Sequence, residues 1–172
     1  MRVRPMQEAD LASVASINDW YIVHAVANFH TAPLGEGGLR DDWIASRARY
    51  PWLVADDGSG SAVTGFAKAS PWKGRCAYDW SAETTVYVHH AHQRKGVGRA
   101  LYEALFEILE ARGFRTLLAG ITLPNDASVA LHEAMGMTPC ATFHKVGWKF
   151  DAWHDVGYWS RHLGEGPPTP LR

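Results

Sequence analysis

The run Gln93-Arg94-Lys95-Gly96-Val97-Gly98 stands between a β-rich segment, Thr85-Val86-Tyr87-Val88, and a periodic helical stretch that begins near Gly98. Glycines at a strand-to-helix junction let the backbone curl tightly around an anion. The helix that follows points its unpaired N–H groups and the positive end of its dipole into that curl. Arg94, Lys95 and Arg99 add positive charge beside it. The build suits a pyrophosphate, and hence a nucleotide-like cofactor. A P-loop would need four residues between its glycines and then Gly-Lys-Ser/Thr, which is absent. A Rossmann fingerprint would need a third small residue where this chain has Leu101. What remains is Gln-x-x-Gly-x-Gly. On the hexapeptide alone, a glycine-rich helix entry with solvated basic residues is the plainer alternative.

Outward from this loop, the spacing predicts a strand at residues 2–5 and a helix from Gln7 to about Val26, with Leu11, Val14, Ala15, Ile17, Asn18 and Tyr21 on one face. A glycine-rich loop follows. A second helix carries Leu39, Trp43, Ile44 and Ala48 on one side. Trp52-Leu53-Val54-Ala55 and Val63 to Ala69 read as strands joined by a turn at residues 56–61. Tyr78 to His89 reads as a long strand rich in β-branched and aromatic residues. The helix Gly98 to Arg112 buries Val97, Leu101, Ala104, Leu105 and Ile108. Thr116 to Ile121 is a strand, and Asn125 caps a helix that Gly136 ends. Residues 137–150 and 153–162 are the closing strands. The order β-α-α-β-β-β-α-β-α-β-β describes an α+β fold, a mixed sheet flanked by helices. Residues 1–163 form a single domain, and 164–172, rich in proline and glycine, form a frayed tail.

Bulk properties exclude several functions. The chain has 172 residues, 47% of them hydrophobic, which fits one globular domain. Its net charge of -1 provides no global field for nucleic acid or an anionic membrane. No apolar run reaches a membrane span, and no signal peptide is expected from a start that reads directly into a strand. Cys76 and Cys140 have neither framework nor metal-type spacing, and are expected as buried free thiols in a reducing cytoplasm. In His89-His90-Ala91-His92, two histidines would share a strand face, but no carboxylate or cysteine accompanies them, so no metal is expected.

The chain resembles the GCN5-related N-acetyltransferase (GNAT) superfamily, most closely its phosphinothricin and methionine sulfone/sulfoximine acetyltransferase branch. The resemblance spans nearly the whole chain. It rests on Asn28-Phe29, on residues 50–55, on Pro71-Trp72-Lys73-Gly74-Arg75 and on Glu83-Thr84-Thr85-Val86-Tyr87-Val88. It continues through residues 92–98, 123–126, 131–136 and Trp153-His154-Asp155-Val156-Gly157-Tyr158-Trp159. It implies the GNAT fold, with a mostly antiparallel sheet, and acetyl transfer from acetyl-CoA to the primary amine of a small, amino acid-like substrate. Direct attack in a ternary complex and a cytoplasmic homodimer, with active sites near the subunit interface, are implied as well. An acetyltransferase of protein or peptide N-termini and a non-catalytic acyl-CoA-binding module are the rival readings.

The resemblance also assigns residues. A substrate amine titrates at roughly pH 8–10 and is largely protonated at pH 7, and Glu83 matches the family's proposed base, acting directly or through water. Its alternatives are an exposed strand carboxylate or an ion pair with Arg75. Val86, Tyr87 and Val88 would offer backbone groups to the pantetheine arm and thioester, as a strand edge offers them to another strand. Arg94, Lys95, Gly96, Val97, Gly98 and Arg99 would hold the pyrophosphate, with Lys95 more solvated than its neighbours. Asn125 and Ser128 match cofactor contacts, or serve only as a helix cap. His132 stands where many relatives carry a tyrosine that protonates the thiolate; a packed structural histidine is the other reading. Phe29, Lys73, Arg75 and Tyr78 would recognise substrate, and an arginine suits a substrate carboxylate. One departure is Lys68, which replaces an expected tyrosine and either adds a charge contact or closes the pocket to the usual substrate.

Overall fold

In the computed structural model, which describes residues 1–58, 60, 62–165 and 170, the elements follow the predicted order. They are β1 (Arg2–Pro5), α1 (Leu11–His24), α2 (Gly35–Ser46), β2 (Trp52–Asp56), β3 (Val63–Pro71) and β4 (Ser81–Val88). Then come α3 (Val97–Ala111), β5 (Thr116–Leu123), α4 (Asp126–Ala134), β6 (Thr138–Lys149) and β7 (Ala152–His162). The strands form one sheet in the order β1-β2-β3-β4-β5-β7-β6. Each neighbouring pair is antiparallel except β4 and β5, which are parallel.

Side chains alternate across the sheet and separate its two faces. Trp52, Val54 and Phe66 pack against Leu11, Val14 and Ile17 of α1 and Leu39 and Trp43 of α2. Leu53, Ala55, Ala67, Ala69 and Ala82 pack on the other face against Leu101, Leu105 and Leu109 of α3. Helix α3 inserts Tyr102 and Phe106 into this layer, whereas Ala104 and Ile108 are only half-buried. Val97, Leu101 and Leu105 are buried as predicted, and the stripe widens toward Tyr102, Phe106 and Leu109 rather than toward Ala104 and Ile108.

Several expectations are corrected. The predicted first helix opens with a 3₁₀ turn at Glu8–Asp10, because the Asp10 carboxylate accepts the Gln7 N–H at 2.8 Å while holding Arg4 of β1 at 2.7 Å. In α2, Ile44 is 55% exposed and Ala48 lies beyond the helix end. The long strand predicted from Tyr78 starts only at Ser81, and Tyr78 lies in a 3₁₀ turn, Cys76–Tyr78. His90–His92 is also a 3₁₀ turn, closed by the Ala91 N–H on the His89 ring. Cys76 and Cys140 are exposed rather than buried, the first in the connection after β3 and the second on the edge strand β6. Most of the tail predicted at 164–172 lies outside the described residues.

The central feature is where β4 and β5 part. They pair only through Ser81 with Thr116, Ala82 with Leu117 and Glu83 with Leu118. The Thr84 hydroxyl then donates to the Leu118 carbonyl at 3.1 Å, so a side chain takes an acceptor at the fork. Beyond it β4 runs on to Val88 and β5 to Leu123 with no rungs between them. The result is an opening through the middle of the sheet, with the backbone of residues 84–88 along one side.

Candidate active site

Register across β3 and β4 sets Ser70 opposite Glu83, Lys68 opposite Thr85 and Phe66 opposite Tyr87. These residues share the face covered by α1 and α2, while Thr84, Val86 and Val88 turn toward α3 and α4. A cavity of about 650 Å³ runs through the opening between the strands and joins the two sides. On the α1–α2 side it is lined by Asn28, Phe29, Asp42, Lys68, Ser70 and Glu83. On the α3–α4 side it is lined by Val86, Tyr102, Asn125, Ser128 and His132.

Glu83 is half-buried at the fork. The Tyr158 hydroxyl donates to its Oε1 at 3.4 Å. Burial lifts the Glu83 carboxyl above the ordinary carboxylate range, against the weaker opposing pull of Tyr158, Lys73 and Lys68. Arg75 makes no ion pair with it: the cations felt at Glu83 are the two lysines.

His132 is buried, and its surroundings fix its tautomer. Nδ1 lies 2.7 Å from the Ser128 carbonyl, which can only accept, so Nδ1 carries the hydrogen. Nε2, 3.0 Å from the Tyr102 hydroxyl, is then the acceptor for that O–H. Burial lowers the His132 pKa and keeps the ring neutral, while the bond to Ser128 works the other way. In this state His132 has no proton to offer from Nε2. The proton-bearing group of the pair is the hydroxyl of Tyr102, a residue outside the buried stripe predicted for this helix.

The glycine loop is built as a helix entry. Gly96 has φ of 79° and no atom within 4 Å of where a Cβ would stand, so its demand is conformational. Gly98 is buried, and a Cβ there would meet Leu131 at 3.1 Å and Val88 at 3.5 Å; its smallness lets α3 sit close to α4 and β4. Arg94 has φ of 58°, which helps turn the loop. Lys95 donates to the Ala91 carbonyl and Arg99 pairs with Glu103, all exposed. Gln93 donates to the Tyr21 hydroxyl at 3.0 Å, and Tyr21 donates to the Val88 carbonyl at 2.7 Å. That chain of bonds ties the loop to α1 and to the end of β4. The first N–H groups of α3, starting at Val97, have no acceptor within the helix. Asn125 caps α4 by accepting the Ser128 N–H at 3.2 Å, and it also lines the cavity.

Of the four residues expected to recognise substrate, Phe29 lines the cavity, while Lys73, Arg75 and Tyr78 lie exposed on the connection between β3 and β4. Lys73 stands 4.6 Å over the Trp72 ring, and Trp72 packs edge-on against Tyr158. Lys149 is a contributor that the sequence pattern did not suggest. It is 5% exposed, and its Nζ donates to the Ala25 and Asn28 carbonyls, holding the loop that carries Phe29 against the β6–β7 hairpin. Among the described residues there is no cluster of three or more potential metal ligands.

A family model described as the acetyltransferase (GNAT) family matches residues 14–137. A phosphinothricin N-acetyltransferase of Streptomyces viridochromogenes is 46% identical over 173 aligned residues, covering 100% of this chain and 93% of the relative. An L-methionine sulfoximine/L-methionine sulfone acetyltransferase of Salmonella typhimurium is 32% identical, over 96% of each chain. Among solved structures, a phosphinothricin acetyltransferase from Sinorhizobium meliloti in complex with acetyl-CoA superposes with a TM-score of 0.93 at 32% identity, covering 98% of this chain and 92% of that one.

Proposed function

The chain belongs to the acetyltransferase (GNAT) family, and from that premise we propose that it transfers acetyl from acetyl-CoA to the primary amine of a small, amino acid-like substrate. One observation carries this reading: the opening beyond Glu83 puts a raised-pKa carboxylate and an unpaired strand edge in one continuous cavity.

Acetyl-CoA supplies an activated acetyl thioester, and the α3–α4 side fits it. The edge of residues 84–88 offers backbone groups to an amide-bearing arm. The α3 N-terminus, opened by Gly96 and flanked by Arg94, Lys95 and Arg99, suits the pyrophosphate. On the opposite side Glu83 accepts a proton from the substrate ammonium, directly or through water, and leaves a neutral amine. His132 acts by orienting the Tyr102 hydroxyl, which bears the proton that the departing thiolate needs. The relatives' names support phosphinothricin- and methionine sulfoximine-type substrates.

Two coarser features complete the proposal. Phe143, Val146, Trp148, Phe150 and Trp153 are each about half exposed along the β6–β7 hairpin, at the edge of the sheet. An apolar, aromatic edge of this kind supports pairing with a second copy. Among the described residues no helix is long and apolar enough to cross a membrane; use of acetyl-CoA supports a cytoplasmic location.

The test is thiol release from acetyl-CoA in the presence of free amino acids, phosphinothricin and methionine sulfoximine. Amine-dependent release with formation of the N-acetyl product is expected. Failure of every small amine, with turnover on peptide N-termini instead, would overturn the substrate assignment.

A further inference from the structure

Lys68 is a cation inside the cavity that the acetyl-transfer chemistry does not use. Its side chain is 23% exposed. In register it faces Thr85, one step diagonal from Glu83, which separates the two strand positions by roughly 7–8 Å. Its ammonium leans away from β4: Nζ is 4.4 Å from the Trp52 ring centroid on β2 and 3.8 Å from Asp42 on α2. The 3.8 Å contact is too long for a hydrogen bond, and Asp42 is 54% exposed. Among the described residues, no hydrogen bond from Nζ is formed. Three donors are thus held within reach of the cavity without a hydrogen-bond acceptor, the ammonium resting on the Trp52 ring and the distant Asp42 carboxylate. The charged groups facing this ammonium are Asp42 and Glu83. Burial lowers the Lys68 pKa and both carboxylates oppose that shift. Lys73, exposed on the connection between β3 and β4, is the other lysine whose charge acts on Glu83.

We propose that Lys68 determines specificity by binding an anionic group carried several bonds away from the amine, so that the site selects acidic amino acids over their neutral isosteres. The inference rests on the acetyl-transfer reading above. With the amine at Glu83, an α-carboxylate one carbon away stays near Glu83 and Lys73. A side-chain carboxylate or phosphinate extends past them toward Trp52 and meets the ammonium. A neutral side chain of the same shape lacks that charge-assisted contact, and a site left with an unpaired buried donor discriminates against it.

Phosphinothricin and methionine sulfoximine are near-isosteres that differ in the charge of the terminal group, as are glutamate and glutamine. The wild type is expected to favour the anionic member of each pair in kcat/KM by about tenfold to a hundredfold. Lys68→Met should collapse both ratios toward one, and Lys68→Arg should retain most of the preference. A wild-type ratio near one, or a ratio unchanged in a folded Lys68→Met variant, overturns the proposal. Absence of turnover with every amine would sink the acetyl-transfer reading instead. Calorimetric titration of the same ligand pairs then decides Lys68: tighter binding of the anionic member, lost in Lys68→Met, upholds its role, and equal binding refutes it.

Discussion

In the proposed reaction, Glu83 owes its role as base to its position. A carboxylate on an exposed strand would titrate in the ordinary range and serve poorly as a base near neutrality. At the fork between β4 and β5 it is desolvated, and its pKa rises. The base is competent only when deprotonated, so turnover should fall as pH drops through that raised pKa, higher than the ordinary value of 4.5. Glu83→Gln should lower kcat by about 10²–10⁴ and abolish this acid limb, with acetyl-CoA affinity near normal. A stopped rate assay across pH, paired with a binding titration of acetyl-CoA, checks both parts. Unchanged turnover would remove Glu83 from the role. Glu83 is a candidate through the family resemblance, and the structure adds its half-buried place at the fork. The partners that shape it were less accessible, because Tyr158 comes from a strand 75 residues away. Tyr102 was hidden for another reason: it fell outside the stripe predicted for α3, and only the contact of its hydroxyl with His132 singles it out.

At the scale of elements, the glycine loop divides one apparent motif into two physical demands. Gly96 supplies a left-handed backbone, and Gly98 supplies room beside Leu131 and Val88. Gly96→Ala should cost about 1 kcal/mol through strain at positive φ and lower Tm by roughly 2–4 °C. It should also raise the KM for acetyl-CoA more than that for the amine. A variant with unchanged acetyl-CoA KM would separate this loop from coenzyme binding. Element order was fully legible from periodicity and turn residues, since alternation and helical spacing are local signals. Boundaries were less so. The strand expected from Tyr78 begins at Ser81 because Cys76–Tyr78 closes a 3₁₀ turn, a choice that composition does not reveal. The fork itself had no local signature: it depends on which strand lies beside β4, and that neighbour is 28 or more residues later in the chain.

At the scale of the whole molecule, the proposed pairing of two copies rests on the exposed aromatic side chains of the β6–β7 hairpin. Trp148 and Trp153 stack edge-to-face at 5.3 Å, yet both are more than half exposed. Trp148→Glu should leave the fold intact and shift sedimentation from two copies toward one, since a charge in an apolar contact is costly. A wild type that sediments as a single copy at micromolar concentration would remove the hairpin from this role. The passage between β4 and β5 has a further consequence, in the order of events during turnover. In the proposed reaction, donor and acceptor would reach the centre by separate doorways on opposite sides of the sheet, so that neither has to leave before the other arrives. Initial-rate plots should give intersecting rather than parallel lines, and spent thiol and acetylated product can exit independently.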